Sequence, residues 1–338
     1  MKRYLRPIGL LSGSAAHKAV AAGLALPLAG GALAFSLVEV IERMAPGDIR
    51  REIVTVQDVA GELQPHIGPR PLAGPIVMGI VNATPDSFSD GGAHFDAGPA
   101  IAHATAMIQA GAGIVDIGGE STRPGAIPVP VDEEIRRVVP VIAGIRAVAA
   151  DVTISIDTRN APTMQAALDA GATMINDVSA LAHDPDSLAV AARATGPVVL
   201  MHMQGDPATM QQAPAYDDVV LDVYDQLESR IATALAAGVA LDRVVIDPGI
   251  GFGKTVAHNL ALLARLSLFH GLGVPLLVGV SRKRFIARLS ADEPAEYRLG
   301  GSLAAGLAAI SRGAQILRVH DVPETVQALR MATAIRDA

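Results

Sequence analysis

From residue 76 onward the chain repeats one beat eight times: a short apolar, β-branched run, a polar or glycine-rich turn, then an Ala/Leu-rich stretch with helical spacing. The apolar runs are 76–83, 113–118, 152–157, 173–178, 197–203, 243–247, 275–280 and 315–319, and helical patterns include 100–109, 132–149, 217–236 and 323–335. Nearly continuous apolar runs are what parallel strands show when helices cover the sheet. Eight strands in strict alternation with helices predict an α/β fold of the (β/α)8 barrel type, since a doubly wound sheet usually stops at five or six strands around a switch point. Only 3% of residues are aromatic although 50% are hydrophobic, so the core must be built from Ala, Val, Ile and Leu. A barrel of about 250 residues commonly forms one domain. The 338-residue chain therefore predicts a barrel over 73–338 and an N-terminal extension over 1–72.

The extension carries eight Lys/Arg against six Asp/Glu, whereas the whole chain has a formal charge of −7. Within it, 35–43 reads as a strand or short helix and 53–59 as a second extended piece. Pro65, Pro69, Pro71 and Pro75 then mark a boundary that disfavours continuous helix. Lys2, Arg3 and Arg6 ahead of the small apolar run 19–35 imitate a signal peptide. Against that, His17 and Lys18 interrupt the approach, and Pro27, Gly30 and Gly31 break the apolar helix. Glu39, Glu42 and Arg43 end the run short of the roughly 20 residues a membrane span needs. A folded extension is expected, with no membrane partner. Net acidity argues against holding nucleic acid by bulk electrostatics. The absence of cysteine removes disulfides, thiolate metal sites and a cysteine nucleophile.

In such a barrel the C-terminal ends of all strands open on one mouth. Here those ends carry Asn82, then Glu120 to Arg123, Asp157, Asn176, Met201 with His202, Asp247, Ser281 to Lys283, and Arg318 with His320. A single polar pocket is predicted. The first turn, NATPDSFSDGG, is polar and glycine-rich; its Asp86 and Asp90 offer oxygens to Mg2+ or water, and an ordinary Asx-capped turn reads equally well. The second, GGESTRPGA, places hydroxyls beside Arg123, whose planar fork suits a diphosphate, although a surface arginine after a tight turn is the plainer alternative. Asp157 and Asn176 standing alone would be helix caps. Beside Asp247 they make two carboxylates and an amide facing one cavity, a set that matches a flat heterocycle with an amidine-like edge.

The stretch DPGIGFGK, 247–254, delivers a carboxylate on a glycine-rich loop but is not a phosphate loop, because G-x-x-x-x-G-K-[ST] needs glycine where Pro248 stands. Of the consecutive Arg282, Lys283 and Arg284, alternation lets roughly one of each adjacent pair face the pocket. Arg318 and His320, two residues apart, share a face in a position that barrels often use for phosphate. His202 reads as a packed loop histidine.

The segments NATPDSFSDGG, DIGGESTRPGA, SIDT, INDVSAL, LMHMQGDPATMQ, DPGIGFGK, GVSRK and RVHDV stand in the order found in dihydropteroate synthases. From about residue 76 the chain resembles that family of pterin-binding TIM barrels. The resemblance implies condensation of 6-hydroxymethyl-7,8-dihydropterin diphosphate with p-aminobenzoate, Mg2+ as cofactor, and a cytoplasmic homodimer that sulfonamides target. It implies that Asn82 binds the metal, and that Phe88, Thr122, Arg123 and Pro124 close over the site and help form the aminobenzoate pocket. Asp157, Asn176, Asp247 and Lys283 would hold the pterin edge, with Met201 and Phe252 packing near it. Arg318 would lie along the pterin face and take the diphosphate with His320, while Ser281 would lie near the aminobenzoate. Lys283, Arg318, His320 and Asp157 are thus the expected catalytic set. Arg284 departs from the family, whose bacterial members often carry a small hydroxyl residue there, and shorter members lack the extension. Two rivals are a pterin-binding paralogue without synthase activity and a methyltransferase acting from methyl-tetrahydrofolate to a corrinoid protein; the latter has no need of the Arg123, Arg318 and His320 anion apparatus.

Overall fold

The computed structural model describes residues 1–29, 31–63, 74–83, 96–120, 129–205 and 209–338. The expected boundary at 72/73 and the candidates Phe88, Thr122, Arg123 and Pro124 lie outside the described residues.

The extension is a small antiparallel sheet. β1 (Lys2–Ser12) pairs along its length with β3 (Leu33–Ala45), and β4 (Asp48–Thr55) and the short β2 (Leu26–Pro27) pair along the opposite edge of β3. The run 35–43, read as strand or helix, is thus strand, and the basic N-terminal residues lie on β1. The stretch 53–59 is not extended throughout: β4 ends at Thr55, whose side chain and that of Asp58 form a capping box that starts the helix Val56–Val59. The segment imitating a signal peptide is divided among the helix Gly13–Ala21, β2 and the start of β3.

Eight parallel strands follow: β5 (Ile76–Asn82), β6 (Ile114–Gly118), β7 (Thr153–Asp157), β8 (Met174–Asp177), β9 (Val198–Met201), β10 (Val244–Asp247), β11 (Leu277–Gly279) and β12 (Ile316–Val319). Each pairs in parallel with its neighbour in sequence, and β12 returns to β5, so the order β10-β9-β8-β7-β6-β5-β12-β11 wraps nearly into a ring. Between β10 and β11 the seam is a single bridge, Ile246 to Leu276, where Ile246 N–H donates to the Pro275 carbonyl at 2.9 Å. Pro275 contributes an acceptor but no donor, which keeps that ladder short.

Strand alternation sorts the side chains into an outer and an inner set. Val77, Val81, Val115, Ile117, Ile154, Ile156, Leu200, Ile246, Val278 and Leu317 point outward and are buried under the helices. Pointing inward, Ile76, Met78, Ile114, Met174, Val199, Val245, Leu277 and Ile316 form a separate apolar plug at the base of the barrel. Residues two steps further along each strand must then face the same interior, nearer the mouth.

The extension docks on the barrel's flank. Tyr4 and its cross-strand partner Ile41 join the core of the barrel. The Tyr4 ring meets Tyr224 edge-on at 5.3 Å, and its hydroxyl donates to the Asp225 carboxylate at 2.9 Å. Arg43, mostly buried, donates to Asp217 at 2.8 Å and Asp222 at 2.5 Å, on and before the helix Val219–Ala236. Ser267 donates to the Pro7 carbonyl at 2.7 Å. Truncating Tyr4 to alanine is expected to cost about 3–5 kcal/mol, the range for losing a buried aromatic. The measurement is a lowered urea midpoint with unchanged slope; an unmoved midpoint would mean the extension contributes nothing to the fold.

Candidate active site

Two residues above the apolar plug, the inward positions become polar: Asp116 on β6, Asp157 on β7, Asn176 on β8, Asp247 on β10 and Arg318 on β12, with Met201 on β9. The centre of this layer is the Arg318 guanidinium. Its Nε donates to Asp116 Oδ2 and its Nη2 to Asp157 Oδ2, both at 2.6 Å. Asn176 Nδ2 adds a bond to the same Asp116 oxygen at 3.0 Å. Asp116 is fully buried and Asp157 8% exposed, and the second oxygen of each has no partner among the described residues. Burial pushes the Asp157 carboxyl up to about 7; Arg318 pulls it down and Asp116 pushes it further up. Burial also works against the Arg318 charge, but Asp116 and Asp157 more than offset it and hold the group above its ordinary range.

The second wall is the loop after β10. Asp247 Oδ1 accepts from Gly249 N–H at 2.7 Å, and burial raises this carboxyl despite the nearby Lys283. Gly249 (φ +67°) and Gly253 (φ +60°) are left-handed, and a Cβ at Gly249 would stand 1.8 Å from the His202 carbonyl oxygen. Glycine is therefore required for the loop to fold this close to its neighbour. Lys283, at the start of the helix Arg284–Leu289, reaches into the pocket, donates to the Ile250 carbonyl and sits 4.6 Å from the centre of the Phe252 ring. Burial lowers its pKa to about 8, opposed by Asp247 and reinforced by Arg318.

Chemically, the layer presents unpartnered carboxylate oxygens, an amide, a lysine and a backbone carbonyl around an interior floored by Ile and Val. That is a receptor for a flat heterocycle with several N–H donors, with Lys283 and Arg318 beside it. The family of pterin-binding enzymes matches residues 78–320. The dihydropteroate synthase of Escherichia coli K12 is 51% identical over 267 residues, covering 79% of this chain and 94% of that protein. The chain belongs to the dihydropteroate synthase family. A solved Xanthomonas albilineans dihydropteroate synthase with 4-aminobenzoic acid is 49% identical, with a TM-score of 0.74 over 85% of this chain and 96% of that one. The same enzyme in complex with 7,8-dihydropteroate superposes with a TM-score of 0.71 at 49% identity, over 79% and 95% of the two chains.

At the rim, Ser281 Oγ lies 3.1 Å from His320 Nδ1 and accepts from His320 N–H at 3.2 Å, joining the loops after β11 and β12. Asn82 ends β5 and is paired in register with Gly118, itself beside Asp157. Of the three consecutive basic residues, Arg282 turns away to pair with Asp321, Arg284 is exposed, and Lys283 faces the pocket. Glu120 is bound to Arg159 at 3.2 Å. His202 is buried behind the loop.

The residue that reading strand ends missed is Asp116. It sits inside the run 113–118, and attention to the last residue of each run passes over it. The available signal was period two: Asp116 lies two positions before Gly118, on the inward face, in a run whose other members are apolar. Arg318 also differs from a simple anion ligand, because two of its nitrogens are committed to carboxylates in the layer that would read the pterin.

Proposed function

We infer that this protein joins 6-hydroxymethyl-7,8-dihydropterin diphosphate to p-aminobenzoate, releasing diphosphate and giving 7,8-dihydropteroate for folate biosynthesis. The observation that carries the reading is the inward polar layer, in which Asp157, Asn176 and Asp247 converge above an apolar floor with Lys283 alongside. Asp157 and Asp247 accept from the amidine-like edge of the pterin, Asn176 and Lys283 serve its acceptor atoms, and Phe252 and Met201 pack near the ring. Arg318, held by Asp116 and Asp157, fixes those carboxylates and borders the ring. His320 and Ser281 stand at the rim, on the side where the diphosphate and the aminobenzoate meet.

Carbon–oxygen cleavage with a diphosphate leaving group needs stabilisation of negative charge on the departing oxygens and of positive charge on the methylene left behind. The pterin-binding carboxylates supply the second, and Arg318 with His320 the first. The arylamine is neutral near pH 7, so no strong base is required to make it a nucleophile. Asn82 offers one neutral oxygen at the mouth, and among the described residues no cluster of three or more His, Cys, Asp or Glu could hold a metal. One neutral oxygen fits a Mg2+ that the protein would hold only in part, and Asn82 is the residue that would hold it. Such an ion supplies charge neutralisation on the leaving group. The family likeness further supports a cytoplasmic homodimer as the setting.

The pH profile of kcat/KM is expected to be bell-shaped. Asp157, pushed up to about 7, becomes the required anion as pH rises through that value, so activity climbs. Lys283, brought down to about 8, loses its proton on further rise, so activity falls. Asp157→Asn should remove the acidic limb and keep the alkaline one; a profile unchanged by that substitution would assign the limb elsewhere.

The deciding assay mixes purified protein with the pterin diphosphate, p-aminobenzoate and Mg2+ and follows dihydropteroate by chromatography. Product supports the synthase. Pterin binding without product would mark a non-catalytic paralogue, and methyl transfer from methyl-tetrahydrofolate to a corrinoid protein would mark the methyltransferase.

A further inference from the structure

Two buried basic groups lie beneath the loop after β10, and nothing in the reaction above uses them. Lys254, the last residue of DPGIGFGK, is 3% exposed, and His202, on the loop after β9, is 2% exposed. Lys254 Nζ lies 2.9 Å from His202 Nδ1 and donates to the Phe252 carbonyl at 2.9 Å. Burial pushes the His202 imidazole down to about 2, with the Lys254 charge adding to the effect. The ring is therefore neutral, and the tautomer with its hydrogen on Nε2 leaves Nδ1 to accept from the lysine, whose own pKa burial draws well down. His202 in turn extends the barrel ladder, its N–H donating to the Asp247 carbonyl at 2.9 Å.

The loop above is tied down peptide by peptide. Phe252 N–H donates to the Gly249 carbonyl at 3.1 Å, Asn259 Oδ1 accepts from Gly251 N–H at 2.7 Å, and Tyr216 donates to the Gly253 carbonyl at 2.8 Å. A Cβ at Gly249 would come within 3.3 Å of Lys254 Nζ, so the lysine fills the space under the turn. The far side of the same loop carries the groups that surround Lys283: the Ile250 carbonyl and the Phe252 ring.

We propose that Lys254 is a positioning residue for pterin recognition: clamped between His202 Nδ1 and the Phe252 carbonyl, it holds the 249–253 backbone against the β9 loop, and that backbone sets Asp247, Ile250 and Phe252 around Lys283. The proposal rests on the synthase reading. It makes the effect of the lysine one-sided, since the loop borders the pterin and not the Ser281–His320 rim.

The test uses the full chain. Lys254→Met keeps the aliphatic stem and removes the amino group. It is expected to raise KM for the pterin diphosphate, and Kd for 6-hydroxymethylpterin by calorimetry, about tenfold or more, the scale seen when a supporting shell is removed. KM for p-aminobenzoate should change by less than about twofold, because the loop does not border that substrate; uniform loss of active protein would instead lower kcat and leave both KM values alone. His202→Leu, which removes the acceptor and keeps an apolar side chain of similar size, should shift pterin affinity the same way, and His202→Gln, which keeps a carbonyl acceptor, should recover much of it. If Lys254→Met does not fold, the His202 pair decides. A folded Lys254→Met or His202→Leu protein with wild-type pterin Kd overturns the proposal, as does equal weakening toward both substrates. Wild-type protein that makes no dihydropteroate overturns the synthase reading instead, and the pterin titrations still report on the clamp.

Discussion

Arg318→Met is expected to lower kcat/KM by about 100- to 1,000-fold, the loss typical of removing one preorganised donor from a developing charge. The structure gives the substitution two consequences. The guanidinium donates to Asp116 and to Asp157 at 2.6 Å each, so its removal takes a cation from the pocket and leaves two buried carboxylates with their partner gone. Breaking a buried pair in this way costs about 3–5 kcal/mol. The stability loss has a sign that pH reveals. Asp157 already has a raised pKa, and without Arg318 its folded-state pKa rises further. The native state then keeps a proton that the unfolded chain releases near its ordinary value, so stability is retained at low pH and lost as pH rises toward neutrality. Chemical unfolding at pH 5 and pH 8 should show the larger deficit at pH 8. Arg318→Lys should restore part of the stability and little of the rate, since one ammonium cannot bridge both carboxylates as the planar fork does. Near wild-type diphosphate release from Arg318→Met would falsify the role assigned to this layer.

Asp247→Asn is expected to weaken pterin binding about 10- to 100-fold, corresponding to one charge-assisted hydrogen bond of about 1.5–3 kcal/mol. Asp247 Oδ1 is committed to Gly249 N–H, so the substitution preserves the loop only if the asparagine oxygen takes that place. Its NH2 group then faces the ligand as a donor where the pterin edge needs an acceptor. The affinity for p-aminobenzoate should stay within about twofold of wild type, since the carboxylate contributes nothing to that side. Titration of each substrate separately decides; equal losses for both would place Asp247 in scaffold maintenance and not in pterin recognition.

Much of the fold was legible because its signals are local. Parallel strands covered by helices must be apolar runs, and eight of them in alternation allow few closures, so strand positions came within a few residues of those observed. The strand ends at Asp157, Asn176, Asp247 and Arg318 were legible for the same reason, since strands in such a barrel share a mouth. The extension was less so. Its strands β1 and β3 pair across a separation that no local pattern encodes, and its docking through Tyr4 and Arg43 depends on Tyr224, Asp217 and Asp222 far along the chain. Residues 53–59 show the limit on a small scale: their β-branched content favours strand, yet the Thr55/Asp58 box starts a helical turn inside them.

The sequence by itself determined the architecture, the mouth and most of the polar side chains gathered there, because strand period and strand polarity fix which residues can meet. Only the tertiary structure decided how their charges are shared. It placed Asp116 under Arg318, turned Arg282 toward Asp321 while Lys283 entered the pocket, and set Lys254 against His202 beneath the glycine loop. Each of these is a choice among partners 33 or more residues apart. Burial and geometry make that choice, and the linear order of residues does not contain it.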